Sequence, residues 1–206
     1  VALKILSPKY TSNPSFVERF MSEVRNTAKL EHPNIVTAFH AGMENGIYFL
    51  AISYVSGQPI IERLRDGKAM PENESLSIAR AIADALNYAW NEFRILHRDI
   101  KPGNIMVDKK GIPKLMDMGI SKSLDEDTAL TMMGMMVGTP YYISPEQAVG
   151  AKDIDFRADI YSLGATLYHM VTGIVPYDAG TAMAIITKHL QEPLPDPRNY
   201  NSFISD

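Results

Sequence analysis

Near the middle of the chain, a hairpin signal restricts the possible folds more than any other feature. Ile105–Val107 and Ile112–Met116 are short apolar runs separated by Asp108-Lys109-Lys110-Gly111, a turn-forming segment that ends in glycine. Antiparallel pairing of the two runs brings the residue before the first beside the residue after the second. Those residues are Asn104 and Asp117. Two oxygen ligands at the open end of a hairpin suit Mg²⁺, which prefers carboxylate, carbonyl and phosphate oxygens. Polar residues also end many plain, capped hairpins, so the hairpin by itself leaves both readings open.

Upstream of it the pattern is mixed. Val1–Leu6 reads as a buried strand with Lys4 as its one charge, and Ser12–Pro14 breaks the chain. Phe16, Phe20, Val24 and Thr27 then recur at helical spacing and define one inward face. Glu23 falls on or beside that face, where a carboxylate needs a partner. His32-Pro33-Asn34 ends the helix. Ile35–Phe39 and Ile47–Ile52 follow as strand-like runs around the turn Glu44-Asn45-Gly46, and Ser53–Gly57 reads as a connector. Beyond it the chain is mainly helical. The spacing predicts a helix over Pro71–Phe93 with Leu76, Ala79, Ile82, Ala83, Leu86 and Trp90 on one stripe, and another over Asp159–Val171. Residues 120–145 carry no clear period, as a long ordered loop would, and the tail from Glu192 is rich in proline.

Composition excludes several classes of function. Of the 206 residues, 46% are hydrophobic and 21% charged, ordinary values for a globular chain. A net charge of −4 favours neither a nucleic-acid nor a membrane-surface partner. With no cysteine there is no disulfide framework and no thiolate metal site, which fits a reducing compartment. No apolar run approaches the roughly 20 residues that span a bilayer, and Val1–Leu6 is too short and too charged for a signal peptide.

The decisive run is His97-Arg98-Asp99-Ile100-Lys101-Pro102-Gly103-Asn104, which resembles the catalytic loop of protein kinases. Asp117-Met118-Gly119 resembles the metal-binding D-F-G of that family, and Val1-Ala2-Leu3-Lys4 its V-A-I-K strand. Ser144-Pro145-Glu146 resembles the A-P-E that closes the activation segment. Order and spacing agree along nearly the whole chain. The implied fold is α+β and two-lobed: a partial small β lobe over residues 1–52, a hinge over 53–57, and a mainly helical large lobe over 58–206.

The resemblance implies a role for each matching residue. Lys4 would hold the α- and β-phosphates of ATP, with Glu23 orienting it through an ion pair. Asp117 and Asn104 would hold Mg²⁺. Asp99 would accept the proton of the substrate hydroxyl, and Lys101 would contact the γ-phosphate, a lysine typical of Ser/Thr rather than tyrosine kinases. Ser53, Tyr54 and Val55 would form the hinge that reads adenine, beside Ile52 as gatekeeper, with Ala2 and Met106 around the ring; core packing accounts equally well for Ala2, Ile52 and Met106. Arg98 implies control by activation-loop phosphorylation at Thr131 or Thr128. Thr139 would bond to the catalytic Asp and Lys, and Asp159 would brace the catalytic loop from within the large lobe.

Three departures stand against the family pattern. The chain begins after the point where a glycine-rich loop is expected, and it ends before the last helices of the large lobe. A chain lacking both is expected to be weak or inactive alone. Met118 in place of phenylalanine is mild, since methionine is flexible and of similar bulk. Tyr142–Ala148 and His189–Pro197 further resemble bacterial receptor-type Ser/Thr kinases. The expected partners are proteins bearing Ser or Thr, with a homodimer for autophosphorylation in trans, and no nucleic acid or membrane contact within this segment. The expected location is the cytoplasm, including the cytoplasmic domain of a membrane-anchored kinase. A pseudokinase scaffold is the main alternative; a small-molecule phosphotransferase fits less well, because residues 117–146, with Gly138-Thr139-Pro140 inside, resemble the activation segment on which protein kinases dock a peptide.

Overall fold

The computed structural model describes residues 1–6, 28–118 and 140–205, together with Val17, Glu18, Met21 and Val24. Two cores organise them. The smaller is built on an antiparallel sheet in the order β1-β3-β2, with β1 at Ala2–Ile5, β2 at Ala38–Glu44 and β3 at Ile47–Ile52. β1 alternates as a half-buried strand should: Val1, Leu3 and Ile5 face outward, while Ala2, Lys4 and Leu6 face in. Leu6, Val24, Ala38 and Leu50 form the core, with Met21, Ala41, Tyr48 and Ile52 packed against it. The β2–β3 turn uses Asn45 at φ 51° and Gly46 at φ 78°, the paired positive angles of a tight hairpin whose twist matches its strands.

β2 starts later than the apolar run Ile35–Phe39 suggests. Ile35 and Val36 are drawn away to the hairpin of the other lobe: Ile35 bridges Leu115 in parallel, and the Val36 N–H donates to the Leu115 carbonyl at 2.9 Å. Both residues are buried by this contact between lobes, so their apolar character has a cause other than strand pairing.

The larger lobe holds a second sheet in the order β4-β5-β6, with β4 at Gly57–Pro59, β5 at Ile105–Asp108 and β6 at Pro113–Leu115. The central hairpin forms with Ile105 opposite Leu115, so Asn104 falls opposite Met116 and not opposite Asp117, one position off the pairing expected from the sequence, because β6 ends at Leu115. Helix α1 (Glu72–Phe93) packs on α3 (Phe156–Thr172), and two shorter helices, α2 (Pro145–Ala148) and α4 (Ala182–Gln191), lie nearby. The buried face of α1 is Ser75, Ile78, Ala79, Ile82, Ala85, Leu86 and Ala89. Leu76, expected on the inward stripe, is 49% exposed. Small residues at 75, 79, 85 and 89 let the helix approach its neighbours closely, and this outweighs one large side chain in setting its rotation. Met118 is fully buried in the core that this lobe forms with Leu30 and Ile35.

Candidate active site

Three stretches of chain converge where the lobes meet: β1, the segment 97–104 that leads into β5, and Asp117 just after β6. The Lys4 ammonium lies 2.7 Å from Asp117 Oδ1. The Lys101 ammonium donates to Asp99 Oδ2 at 2.8 Å, and Asn104 Nδ2 donates to both the Asp99 carbonyl (2.8 Å) and its Oδ2 (2.9 Å). One carboxylate oxygen of Asp99 thus takes two charge-assisted bonds, which fix its direction. With Asn104 Nδ2 committed to Asp99, the amide oxygen is the Asn104 group left for a cation. Asn104 itself is held through its own backbone, N–H to the Lys101 carbonyl and carbonyl to the Met116 N–H, both at 2.9 Å.

The loop is braced from inside the large lobe. Asp159, in the first turn of α3 and buried, accepts from the His97 N–H at 2.8 Å and the Arg98 N–H at 2.7 Å, one on each carboxylate oxygen. This is the bracing contact that the resemblance implies for it. The buried imidazole of His97 spans the two halves of the site: Nδ1 accepts from the Asp99 N–H at 3.2 Å, and Nε2 faces the Met116 carbonyl at 2.7 Å. Acceptance at Nδ1 puts the proton on Nε2, which donates to the carbonyl. Arg98 and Asp117 both take positive φ, 63° and 57°. A non-glycine residue there costs about 1–2 kcal/mol, and such conformations persist at functional sites where surrounding bonds over-determine them.

Around the other side of the cleft, Ala2 and Ile52 are register partners in the small sheet, and Met106 lies on β5 opposite Lys114 and Pro59. All three are partly buried. In the connector, the Ser53 N–H donates to the Thr37 carbonyl at 2.9 Å, and the Val55 carbonyl accepts from Gly57 at 3.0 Å. The Ser53 carbonyl and Val55 N–H take no backbone partner among the described residues, while the Tyr54 side chain is exposed. Glu23, Thr128, Thr131 and Thr139 lie outside the described residues.

The chain following residue 140 and helix α4 are each tied to α3 by a tyrosine–histidine pair. The Tyr142 hydroxyl bonds to His169 Nδ1 at 2.7 Å, and the Tyr161 hydroxyl to His189 Nδ1 at 2.8 Å. Burial pushes the Tyr142 and Tyr161 phenols up and both imidazoles down, which favours the neutral form of both partners in each pair. Sequence reasoning gave no role to His97, Gln147 or these two histidines. For His97 the signal was its place at the head of the decisive run; for Gln147 it was Ser144 three residues earlier, the pattern of a capping box, and the box forms.

Comparison with known proteins points to the family that the sequence resembles. The model of the protein kinase domain matches residues 1–202. A probable serine/threonine-protein kinase of Clostridium perfringens is 38% identical over 204 residues, which cover 99% of this chain and 29% of that protein. The serine/threonine-protein kinase PrkC of Bacillus subtilis is 37% identical over 201 residues, covering 98% of the chain and 31% of the relative. The chain thus spans about a third of the length of these curated relatives. Among solved structures, the kinase domain of Mycobacterium tuberculosis PknI superposes with a TM-score of 0.75 at 29% identity, covering 98% of this chain and 71% of that one.

Proposed function

This chain belongs to the protein kinase domain family, of the kind found in bacterial Ser/Thr kinases, and from that premise we propose that it catalyses transfer of the ATP γ-phosphate to Ser or Thr hydroxyls of proteins. One observation carries the reading: Asp99 held by Lys101 and Asn104 in the same cleft as the Lys4–Asp117 ion pair.

Phosphoryl transfer needs charge neutralisation and alignment more than covalent chemistry. Lys4 would bind the α- and β-phosphates, exchanging its bond to Asp117 for phosphate oxygens. Glu23 would orient it. The donor set suits Mg²⁺: the Asp117 carboxylate and the Asn104 amide oxygen are hard oxygen ligands that would hold it together with phosphate oxygens. When bound, Mg²⁺ supplies neutralisation of charge on the β- and γ-phosphates. Asp99 would take the proton of the substrate hydroxyl as its oxygen bonds to the γ-phosphorus and the bond to the ADP oxygen breaks. Lys101, already on Asp99, would balance charge on the transferring group. Ser53 C=O and Val55 N–H offer one acceptor and one donor for the adenine edge, between Ala2, Ile52 and Met106. Residues 1–52, 53–57 and 58–206 then act as small lobe, hinge and large lobe. Thr131 or Thr128, once phosphorylated in trans by a second copy, would pair with Arg98 and order the segment.

The test is phosphate incorporation, read by mass spectrometry, in the full-length protein incubated with Mg-ATP beside its Asp99→Asn variant. Phosphate on the parent and none on the variant is expected. A folded parent that phosphorylates neither itself nor generic substrates would sink the enzymatic reading in favour of a scaffold.

A further inference from the structure

The peptide joining Arg98 to Asp99 is held at both ends. Its N–H donates to His97 Nδ1 at 3.2 Å, and its carbonyl accepts from Gln147 Nε2 at 2.9 Å. The preceding peptide is fixed as well, through the Arg98 N–H on Asp159 Oδ1 at 2.7 Å. These bonds hold Arg98 at its positive φ of 63° and so set the direction in which the next side chain, Asp99, leaves the backbone. His97 belongs to the catalytic segment and Asp159 to the core of the large lobe. Gln147 is different: it sits in α2, at the end of the segment that follows Asp117.

Gln147 is buried and has every side-chain polar atom engaged. Its Oε1 accepts from the N–H and the hydroxyl of fully buried Ser144, both at 3.3 Å, and its own N–H donates back to the Ser144 hydroxyl. That half of the side chain is a helix cap, which glutamate would serve equally well. The donation from Nε2 to the Arg98 carbonyl is not needed by the cap, and glutamate cannot make it at neutral pH.

We propose that Gln147 is a positioning residue for Asp99: by holding the Arg98 carbonyl it makes the docking of α2 and the orientation of the proton acceptor a single event. The inference rests on the kinase reading of Asp99. Two variants separate the glutamine's two tasks. Gln147→Glu keeps the cap acceptor and loses the donor; Gln147→Met keeps the length and loses both.

In the full-length protein with Mg-ATP and a generic protein substrate, both variants are expected to lower kcat about tenfold, corrected for folded fraction, with KM for ATP within about twofold of the parent. Amide exchange of the peptide spanning 97–104, followed by mass spectrometry without nucleotide, should rise in both. The Tm of Gln147→Glu should stay nearer the parent than that of Gln147→Met. A parent-like kcat in Gln147→Glu overturns the proposal, whether or not exchange rises, and so does a lowered kcat with unchanged exchange. If the parent transfers no phosphate, the kinase reading fails by itself, and unchanged exchange in Gln147→Glu then overturns the tie independently.

Discussion

Asp99 is surrounded by groups that each limit it in a different way. Lys101 and Asn104 fix one carboxylate oxygen, and His97 fixes the backbone N–H behind it. Asp99→Asn removes the proton acceptor while leaving an oxygen for Lys101, so phosphate transfer should fall about 10³-fold with Tm nearly unchanged. A variant that still turns over within tenfold of the parent would remove Asp99 from the chemistry. Asp159 tests the brace. Each of its oxygens takes one backbone N–H, buried at His97 and part-buried at Arg98, and asparagine can offer only one acceptor oxygen, leaving one N–H without a partner. Asp159→Asn should therefore lose about 1–3 kcal/mol in urea unfolding and slow transfer as the 97–99 backbone relaxes. Unchanged stability would mean that water or another group replaces the lost acceptor at no cost.

Among the elements, α3 is the one on which the site is built. Its first turn carries Asp159, its last turn carries His169 against Tyr142, and it ends at Gly173 with φ 79°. Asp155 caps the start by accepting from the Arg157 N–H at 3.0 Å. Gly173 is required twice: L side chains resist its φ, and a Cβ there would overlap the carbonyl oxygen of Gly67. Gly173→Ala should destabilise by more than about 2 kcal/mol, visible as a drop in Tm, and a loss under about 0.5 kcal/mol would show that the 67–69 turn yields freely. The hairpin β5–β6 works differently. Its strands are short, but the Leu115 N–H donates to the Asn34 carbonyl at 2.8 Å and Asn34 Nδ2 to the Pro113 carbonyl at 2.8 Å. Asp117 therefore emerges from a hairpin attached to the segment entering β2, which couples its position to the small lobe.

For the molecule as a whole, pH acts through buried rings. Burial holds His169 and His189 below the usual histidine value of 6.5, opposed at His169 by the Gly173 backbone and at His189 by the carbonyls of Tyr141 and Pro140. The unfolded chain thus binds protons at these sites more readily than the fold does. Their contribution to stability is complete above about pH 6.5 and declines as pH falls toward the lowered folded values. Each histidine can contribute a slope of up to about 1.4 kcal/mol per pH unit within that window. The urea midpoint should drop between pH 7.5 and 5.5, and a His169→Gln, His189→Gln double variant should show a flatter profile. An equal drop in both proteins would assign the pH dependence to other groups.

Much of this was legible in the residues themselves. The strand at Val1–Leu6, the helices ending at Phe93 and beginning near Asp159, and the existence of the β5–β6 hairpin follow from local periodicity and turn chemistry, which act over a few residues; its register, with Asn104 opposite Met116, does not. The order of Lys4, Asp99, Asn104 and Asp117 along the chain pointed to a kinase for the same reason: reacting groups must be of fixed type, and type is written directly in sequence. What local pattern could not decide was which of several apolar or polar residues found a distant partner. Leu76 looks inward by spacing and lies outside, because small residues on the neighbouring face of α1 allow closer packing. Ile35 and Val36 look like a strand and instead join the two lobes. Gln147 caps the start of α2 locally, yet half of its amide serves a carbonyl 49 positions away. A hydrogen bond or close contact between residues so far apart depends on the folded backbone bringing them within about 3 Å, and only the tertiary structure decides that.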